Sequence, residues 1–347
     1  MPELPSKASS SDNKADNWPF VSVLMPVRNE AQYITRSLEA VLAQEYPGSV
    51  EVLVVDGMSD DGTRDIVTGI AADNPQVHLL DNPGQLVAIA LNRGAARARG
   101  DIFVRVDGRA FLPPGYVRRC VQLLTETGAA NVGGMQVPIA DTVQGRAIAA
   151  AMASPFGVGT ARFRFATRPQ EVDTVYLGAW PRAFFKQVGG FDESLVRNQD
   201  YEFNYRLRQA GGTILYSPEL RVEYYGRPTL SALWRQYFDY GFWKAHVIAL
   251  HPGSTHPRHL IAPLFVLGLL VGAVLSLLGS VWRVPYVATL LIYALLTLTI
   301  SVVQAARHGW RNLPLLPLVF LTLHLSWGIG FWTGVGRGWL FRQRKEP

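Results

Sequence analysis

Two polar turns near the start of the chain each follow an apolar run. Residues 50–56 are Val-Glu-Val-Leu-Val-Val-Asp, with Gly-Met-Ser-Asp-Asp-Gly-Thr after them, and residues 21–30 are Val-Ser-Val-Leu-Met-Pro-Val-Arg-Asn-Glu. Neighbouring parallel strands bring their carboxyl ends to one edge of a sheet, where open α/β folds bind nucleotides. A carboxylate there, such as Asp56, can accept an N–H of a base or a ribose hydroxyl. The alternative is a turn in which Ser59 or Asp60 only caps the next helix. The second polar turn favours the nucleotide cleft.

These two segments resemble the start of the family 2 glycosyltransferases, whose pattern is S-V-(I/V)-(I/V)-P-x-(Y/R)-N-E followed by V-V-D-D-G-S-x-D-x-T. Gly57 stands where the second Asp is usual, and Met58 where the Gly is usual. The resemblance implies a GT-A nucleotide-diphospho-sugar transferase domain, an α/β fold with a mostly parallel sheet flanked by helices. It also implies that Asp56 grips the uridine of the donor and that the upstream turn binds substrate through Pro26, Arg28 and Glu30.

The family's metal motif, D-x-D, is altered here. The sequence at 104–114 is Val-Arg-Val-Asp-Gly-Arg-Ala-Phe-Leu-Pro-Pro, which aligns Asp107 with the first Asp and Arg109 with the second. The family implies a divalent cation, Mg²⁺ or Mn²⁺, but such a cation needs oxygen ligands, which a guanidinium lacks. Either Asp107 holds the metal with water and diphosphate oxygens, or Arg109 itself neutralises the leaving diphosphate. A solvent-facing loop arginine is the third interpretation. We expect both residues to bind substrate.

A third stretch carries the candidate general base. Val-Gly-Gly-Phe-Asp-Glu at 188–193 precedes Arg-Asn-Gln-Asp-Tyr-Glu-Phe-Asn-Tyr-Arg-Leu-Arg at 197–208. This resembles the family's G-x-F-D-E … E-D-x-(D/E)-L-x-x-R, with Asp200 at the position of the base and Glu202 at the second acidic position. An inverting transfer needs one carboxylate to take the proton of the attacking hydroxyl. For Glu202 two interpretations are equally good: it binds substrate, or it stabilises the N-terminus of a helix.

Gln236 falls where processive polysaccharide synthases of the same family carry Q-x-x-R-W, and we expect it to bind substrate. Asp239 and Tyr240 replace the Arg and Trp, so the chain-translocation site of a processive synthase is not visible. The Q-Y-F-x-Y-G form, together with V-R-V-D-G and N-Q-D-Y-E-F, is similar to the bacterial succinoglycan-type exopolysaccharide glycosyltransferases.

The chain divides into four parts. Residues 1–18, rich in Ser, Lys, Asp, Asn and Pro, predict a disordered tail. Strand and helix patterns alternate at the start of 19–228, which we assign to the glycosyltransferase domain. Residues 229–255, with aromatic and basic side chains interspersed, predict an amphipathic helix in the membrane interface, or a helix packed on the catalytic domain. Residues 256–347 predict a membrane domain.

The membrane prediction rests on composition. Charged residues make up 17% of the chain and are sparse near its end. Three segments there, 261–282, 284–304 and 313–335, are each about 20 residues long, enough to cross the hydrocarbon as a helix. The first apolar run is too short for a secretory signal, so we expect a multi-pass protein of the inner (plasma) membrane with its catalytic domain in the cytoplasm.

The orientation of the tail conflicts with the positive-inside rule. A cytosolic catalytic domain puts Arg283 outside and Arg307 and Arg311 inside, as the rule prefers. Three crossings would then put Arg337 and the basic residues after it outside. Either the last segment is re-entrant, or the cytosolic signal upstream overrides the tail.

The resemblance implies an inverting transfer of a hexose, with UDP-glucose as the expected donor, onto a growing lipid-linked oligosaccharide in exopolysaccharide biosynthesis. The expected partners are the nucleotide sugar, the lipid-linked saccharide acceptor and membrane lipid; no nucleic acid is expected. Two alternatives are a polyprenyl-phosphate sugar synthase and a catalytically inactive membrane scaffold of the same fold. The altered D-x-D favours the scaffold slightly, and intact Asp200 opposes it.

Overall fold

The structure is a computed structural model that describes residues 18–159 and 161–343, with side chains up to residue 338. The predicted disordered tail therefore lies almost entirely outside the described residues, as do the last basic residues of the chain.

One nine-stranded sheet forms the catalytic domain, in the order β3-β2-β1-β4-β8-β6-β9-β5, with β7 also paired to β9. Strands β1–β4 are parallel to one another and β6 is parallel to β9, whereas β8, β5 and β7 pair antiparallel with their neighbours. The sheet is thus mostly parallel, as predicted. The strands are β1 Val21–Val27, β2 Val50–Asp56, β3 Val77–Asp81, β4 Ile102–Arg105, β5 Ala110–Phe111, β6 Asn131–Ile139, β7 Gln170–Glu171, β8 Tyr176–Pro181 and β9 Ile214–Tyr225.

Helices cover both faces of this sheet. One face packs against α1, α2 and α4, and the other against α3, α7 and α8. Every residue of β1 is buried, and its sequence is apolar except for Ser22, as expected for a strand covered on both sides. The helices of this domain are α1 Ile34–Leu42, α2 Thr63–Asp73, α3 Val87–Arg97, α4 Tyr116–Thr127, α5 Val143–Met152, α6 Pro155–Val158, α7 Arg182–Gln187 and α8 Gln199–Gln209.

Four helices follow the sheet: α9 Leu230–Leu250, α10 Ile261–Leu278, α11 Arg283–His308 and α12 Leu316–Gln343. By length and composition, the last three are each long and apolar enough to cross a membrane. They correspond to the three predicted segments, but α11 and α12 extend beyond them.

The helices α10 and α11 form a hairpin that is apolar and exposed. Only 11% of each helix's most apolar window is buried within the protein. The hairpin begins beside the catalytic domain, where Arg258 pairs with Asp173, and ends beside α5 at His308. Its turn, at Gly279–Arg283, is therefore the end farthest from the sheet.

The helix α12 is different, because it packs closely along α9. Gly330 faces the backbone of Phe238, where an added Cβ would lie 2.1 Å from the carbonyl oxygen, and Gly334 similarly faces Phe242 at 2.5 Å. Small residues allow two helices to approach this closely. The opposite side of α9 packs on α8, where Lys244 Nζ lies 3.2 Å from the ring centroid of Tyr201. Thus α9 is a helix packed on the catalytic domain; its placement at a membrane interface stays a prediction.

Candidate active site

The two polar turns after β1 and β2 are joined by hydrogen bonds. The backbone N–H of Asn29 donates to Ser59 Oγ at 2.9 Å, and that of Glu30 to Thr63 Oγ1 at 2.9 Å. The Asn29 side chain exchanges two further bonds with Asp60. Asn29 adopts a left-handed φ of 54°, which asparagine tolerates better than most residues. The spacing of polar residues in both turns therefore fixes the shape of this edge of the sheet.

Asp56 is fully buried beneath this edge, and both of its oxygens are bonded. Ser59 Oγ donates to Oδ1 at 2.5 Å, and Arg64 donates to Oδ2 at 2.8 Å. The same guanidinium donates to Asp81 at 2.8 Å, at the end of β3. Asp56 is thus not presented directly to a ligand; Arg64 and the half-exposed Asp81 are the polar groups nearest the surface here. The predicted contact of Asp56 with uridine requires Arg64 to move aside.

The substitution of Gly57 for the usual Asp has a local reason. A Cβ at this position would lie 3.2 Å from the side chain of Arg28, which crosses over it. Arg28 itself is exposed, as a substrate-binding residue would be, whereas Pro26 is buried inside β1. Pro26 lies two residues after Leu24, the last residue of β1 that pairs with β4. Its missing N–H therefore does not interrupt the hydrogen bonds between β1 and β4. It shapes the turn and presents no surface to a ligand.

Arg105, at the end of β4, bridges two carboxylates that the sequence analysis singled out. Its Nε donates to Asp107 Oδ1 at 2.8 Å, and its terminal nitrogen donates to Asp200 Oδ1. The Arg105 side chain is only 6% exposed, whereas that of Asp200 is 37% exposed. Among the residues that the structure describes, no ion pair or hydrogen bond involves the second oxygen of Asp200.

The environment of Asp200 suits a base. Burial is the largest influence and raises the pKa of Asp200; Arg105 opposes that rise, and the nearby charge of Asp107 adds to it. A carboxylate with a raised pKa accepts a proton more readily than a solvated one, as general-base catalysis requires.

Arg109, two residues after Asp107, is paired with Glu30. Its Nε and terminal nitrogen donate to the same Glu30 oxygen at 3.1 and 2.5 Å. Burial raises the pKa of Glu30, and Arg109 opposes this. The two predicted substrate-binding residues therefore meet, and the loop after β4 is attached to the turn after β1.

Two further arginines lie near this pair. Burial lowers the pKa of Arg227, and the positive charges of Arg109 and Arg197 lower it further. Arg227 forms no ion pair within the part of the chain that the structure describes, and Arg197 is 4.0 Å from its nearest carboxylate oxygen, on Asp239. Arg227 thus adds positive charge beside the Arg109–Glu30 pair, and a buried guanidinium of this kind favours an anionic ligand such as a phosphate.

The residues present do not by themselves make a metal site. Among residues 18–159 and 161–338, no group of three or more His, Cys, Asp or Glu side chains is placed to hold a metal ion. Of the D-x-D motif only Asp107 remains, and one of its oxygens is bonded to Arg105. A cation here would depend on ligands from the substrate and water.

Glu202 lies apart from these groups. It is almost fully buried, and Arg206 donates to both of its oxygens, at 2.5 and 2.7 Å. His251, just after α9, is 3.0 Å from the same carboxylate, and Arg206 also donates to the carbonyl of Gly190 at 2.6 Å. These contacts connect Glu202 to the Gly-Gly-Phe-Asp loop and to the end of α9; its contact with substrate stays a prediction.

The helix α9 brings its polar residues to the candidate site. Tyr240 accepts a hydrogen bond at its backbone oxygen from Asn198, at 3.0 Å, next to the start of α8. Gln236 donates to the Tyr240 hydroxyl at 3.0 Å. Gln236 is therefore held within one helical turn of Asp239, which faces Arg197.

Several candidate residues were not found from the sequence: Arg64, Asp81, Arg105, Arg197 and Arg227. Arg105 carried a signal, because an arginine inside a buried apolar strand needs an anionic partner. The other four are charged residues in helices, strand ends or loops, where such residues are common, so the sequence gave no signal for them.

Known proteins share both the sequence and the fold. A family model described as glycosyl transferase family 2 matches residues 22–177. The succinoglycan biosynthesis protein ExoA of Rhizobium meliloti is 32% identical over 314 residues, covering 89% of this chain and 93% of that protein.

Two more comparisons extend this likeness. A dolichyl N-acetyl-α-D-glucosaminyl phosphate 3-β-D-2,3-diacetamido-2,3-dideoxy-β-D-glucuronosyltransferase of Methanococcus voltae is 26% identical over 238 residues, covering 66% of this chain and 74% of that one. The mannosyltransferase PcManGT of Pyrobaculum calidifontis, solved with GDP-Man and Mn²⁺, superposes with a TM-score of 0.60 at 20% identity, covering 89% of this chain and 87% of that one.

The fold is therefore of the GT-A type. The match to ExoA extends over nearly the full length of both proteins. The chain belongs to glycosyltransferase family 2.

Proposed function

We propose that this glycosyltransferase moves a hexose, glucose from UDP-glucose, with inversion onto a lipid-linked oligosaccharide at the cytosolic face of the inner membrane. The observation that carries the proposal is the partly exposed Asp200, whose Oδ1 atom is held by Arg105 at the edge of the sheet. Two relatives support the pathway: one is named for succinoglycan biosynthesis, and the other for transfer to a dolichyl-linked sugar phosphate.

In the proposed step, Asp200 takes the proton of an acceptor hydroxyl. The hydroxyl oxygen bonds to the anomeric carbon on the face opposite the nucleoside diphosphate, and the bond from that carbon to the phosphate oxygen breaks. The bonding electron pair leaves on the diphosphate, so the configuration inverts. Arg105 orients the carboxylate and opposes the rise in its pKa.

The charge that develops on the diphosphate is met, in this proposal, by Arg109, Arg197 and Arg227. Arginine pairs well with phosphate because its planar donors match the oxygens. A divalent cation, which one solved neighbour of this fold contains, would supply further positive charge beside Asp107 and shares that role with the arginines.

The contacts of α12 bear on how the protein would meet the membrane and its lipid-linked acceptor. The helix α12 contacts the catalytic domain near its start, where His324 lies 2.8 Å from the carbonyl oxygen of Phe156. Farther along, it packs on the part of α9 that contacts α8. Both halves of α12 thus lie along elements that carry charged residues, among them Asp239 and Lys244.

A transverse α12 would draw those charges into the hydrocarbon, where each is costly. We therefore propose that α12 lies along the membrane surface and that only the α10–α11 hairpin crosses and returns. The exposed side of α12 is an apolar stripe that can face lipid: Leu318, Leu321, Ile329, Trp332 and Val335. This topology leaves Arg283 outside and keeps Arg307, Arg311 and Arg337 inside, which satisfies the positive-inside rule.

Asp200→Asn keeps the size of the side chain but cannot accept the proton, so we expect transfer to fall by about 10² to 10⁴-fold while UDP binding persists. The measurement is transfer of labelled glucose from UDP-glucose to a native lipid extract, with polyprenyl phosphate as a second acceptor. Asp65→Asn, on the exposed side of α2, is the control. Near wild-type transfer by Asp200→Asn would remove Asp200 as the base. Transfer to polyprenyl phosphate alone would replace the proposed acceptor.

Arg105→Gln removes the charge that opposes the raised pKa of Asp200. Because the base works only when ionised, the acidic limb of the kcat/KM profile should move to higher pH, by about one to three units. Arg105→Lys keeps the charge and should shift the limb less. An unchanged acidic limb in Arg105→Gln, in protein that still binds UDP, would show that this ion pair does not tune the base.

Because arginines surround the diphosphate in the proposed site, the activity should be less sensitive to metal chelation than that of a family member with an intact D-x-D motif. Arg109→Asp restores a carboxylate and should raise metal dependence. UDP release with and without EDTA, and Mn²⁺ binding by calorimetry, compare the two forms. If EDTA abolishes wild-type activity and Mn²⁺ fully restores it, the arginines do not take over the role of the metal.

Single cysteines test the topology, since the native Cys120 is fully buried. In intact spheroplasts a membrane-impermeant maleimide should label Val281→Cys, at the turn of the hairpin. It should label Gly336→Cys, at the end of α12, only after lysis. Arg118→Cys, exposed on the catalytic domain, marks the cytosolic side. Labelling of Gly336→Cys in intact cells would show that α12 crosses the membrane.

A further inference from the structure

A cavity of about 470 Å³ lies apart from the candidate base, between β6, α5 and the end of α11. Its wall includes β6 residues 135–139 and alanines of α5. Four basic side chains line it: Arg146, Arg164, Arg221 and His308. The catalytic domain and the membrane helices thus build this cavity together.

The cavity is positively charged without a compensating carboxylate. No Asp or Glu is among its lining residues. Arg146 donates to the backbone oxygen of Asp141 at 2.6 Å, and Arg164 donates to the Tyr224 hydroxyl at 3.5 Å. Arg221 has no ion pair or hydrogen bond to another residue that the structure describes. Three guanidinium groups around one space, none paired with an acid, favour a phosphate.

The position of the cavity favours a phosphate that belongs to a lipid. His308 is the last residue of α11, and Val302 and Val303 just before it are exposed and apolar. A lipid lying against α11 would bring its head group to the level of His308. Gln136, which is 8% exposed, contributes a further polar side chain to the lining of the cavity.

We propose that this cavity binds the phosphate group of a membrane lipid through Arg146, Arg164 and Arg221. The inference rests on the membrane placement proposed above, but not on sugar transfer. Two lipids carry this chemistry, an anionic phospholipid and a polyprenyl diphosphate. The bound head group would hold the catalytic domain at a fixed height over the membrane.

The test is native mass spectrometry of the full chain released from detergent micelles, with phosphatidylglycerol, undecaprenyl diphosphate or inorganic phosphate added. The double variant Arg164→Gln/Arg221→Gln should bind the lipid at least about tenfold more weakly, since each basic residue near lipid contributes about 1 kcal/mol. Arg93→Gln/Arg118→Gln removes two charges from exposed sites on α3 and α4 and should bind like wild type. Arg164→Lys/Arg221→Lys keeps both charges and should retain most of the binding.

Each possible result either supports or overturns the lipid site. Selective retention of either lipid, lost in the Gln pair and kept in the Lys pair, supports the site and identifies the source of the phosphate. Equal lipid retention by the Gln pair and the control pair overturns it. Inorganic phosphate binding as tightly as both lipids would show a site for a soluble anion instead. None of these readouts depends on transfer, so an inactive protein could still confirm the lipid site.

Discussion

The ion pairs of Arg105 connect the parts of the molecule that must act together. Arg105 ends β4, Asp107 begins the loop after it, and Asp200 belongs to α8, far away in the chain. A buried guanidinium is tolerated only with anionic partners, and loss of a partner leaves an uncompensated charge. The position of α8 over the sheet edge is therefore coupled to the loop that carries the altered metal motif. One interaction sets both the geometry and the charge of the candidate base.

The sequence predicted the first half of the sheet well because its strands are continuous apolar runs separated by helical spacing. It did not reveal β8, which inserts antiparallel between β4 and β6; its sequence, Tyr-Leu-Gly-Ala-Trp-Pro, has no alternation. Asp200 was singled out because a family motif surrounds it, and its role as the base stays a prediction. The same motif includes Glu202, but a motif position does not tell whether a carboxylate contacts a substrate or an arginine one turn away, here Arg206. Arg197 and Arg227 come together only through tertiary packing, which no local pattern encodes.

The helix α9 is the link between chemistry and membrane. One side touches the candidate site through Tyr240 and Asp239, and continues along α8 through Lys244 and His251. The other side meets α12 at glycines that admit no side chain. At these glycines the backbones of α9 and α12 are in direct contact, so the position of α9 over α8 is tied to that of α12.

Charge balance explains why the altered D-x-D does not by itself imply an inactive scaffold. In the usual arrangement two carboxylates recruit a cation, and the cation meets the diphosphate. Here one carboxylate has become Arg109, which Glu30 holds, and Arg227 stands nearby with its pKa lowered by burial and by its cationic neighbours. Arg227 forms no ion pair within the part of the chain that the structure describes, so a bound anion would supply the partner that its buried charge lacks. In the proposed function that anion is the diphosphate of the donor, and the arginines take over part of the role of the second carboxylate and its cation.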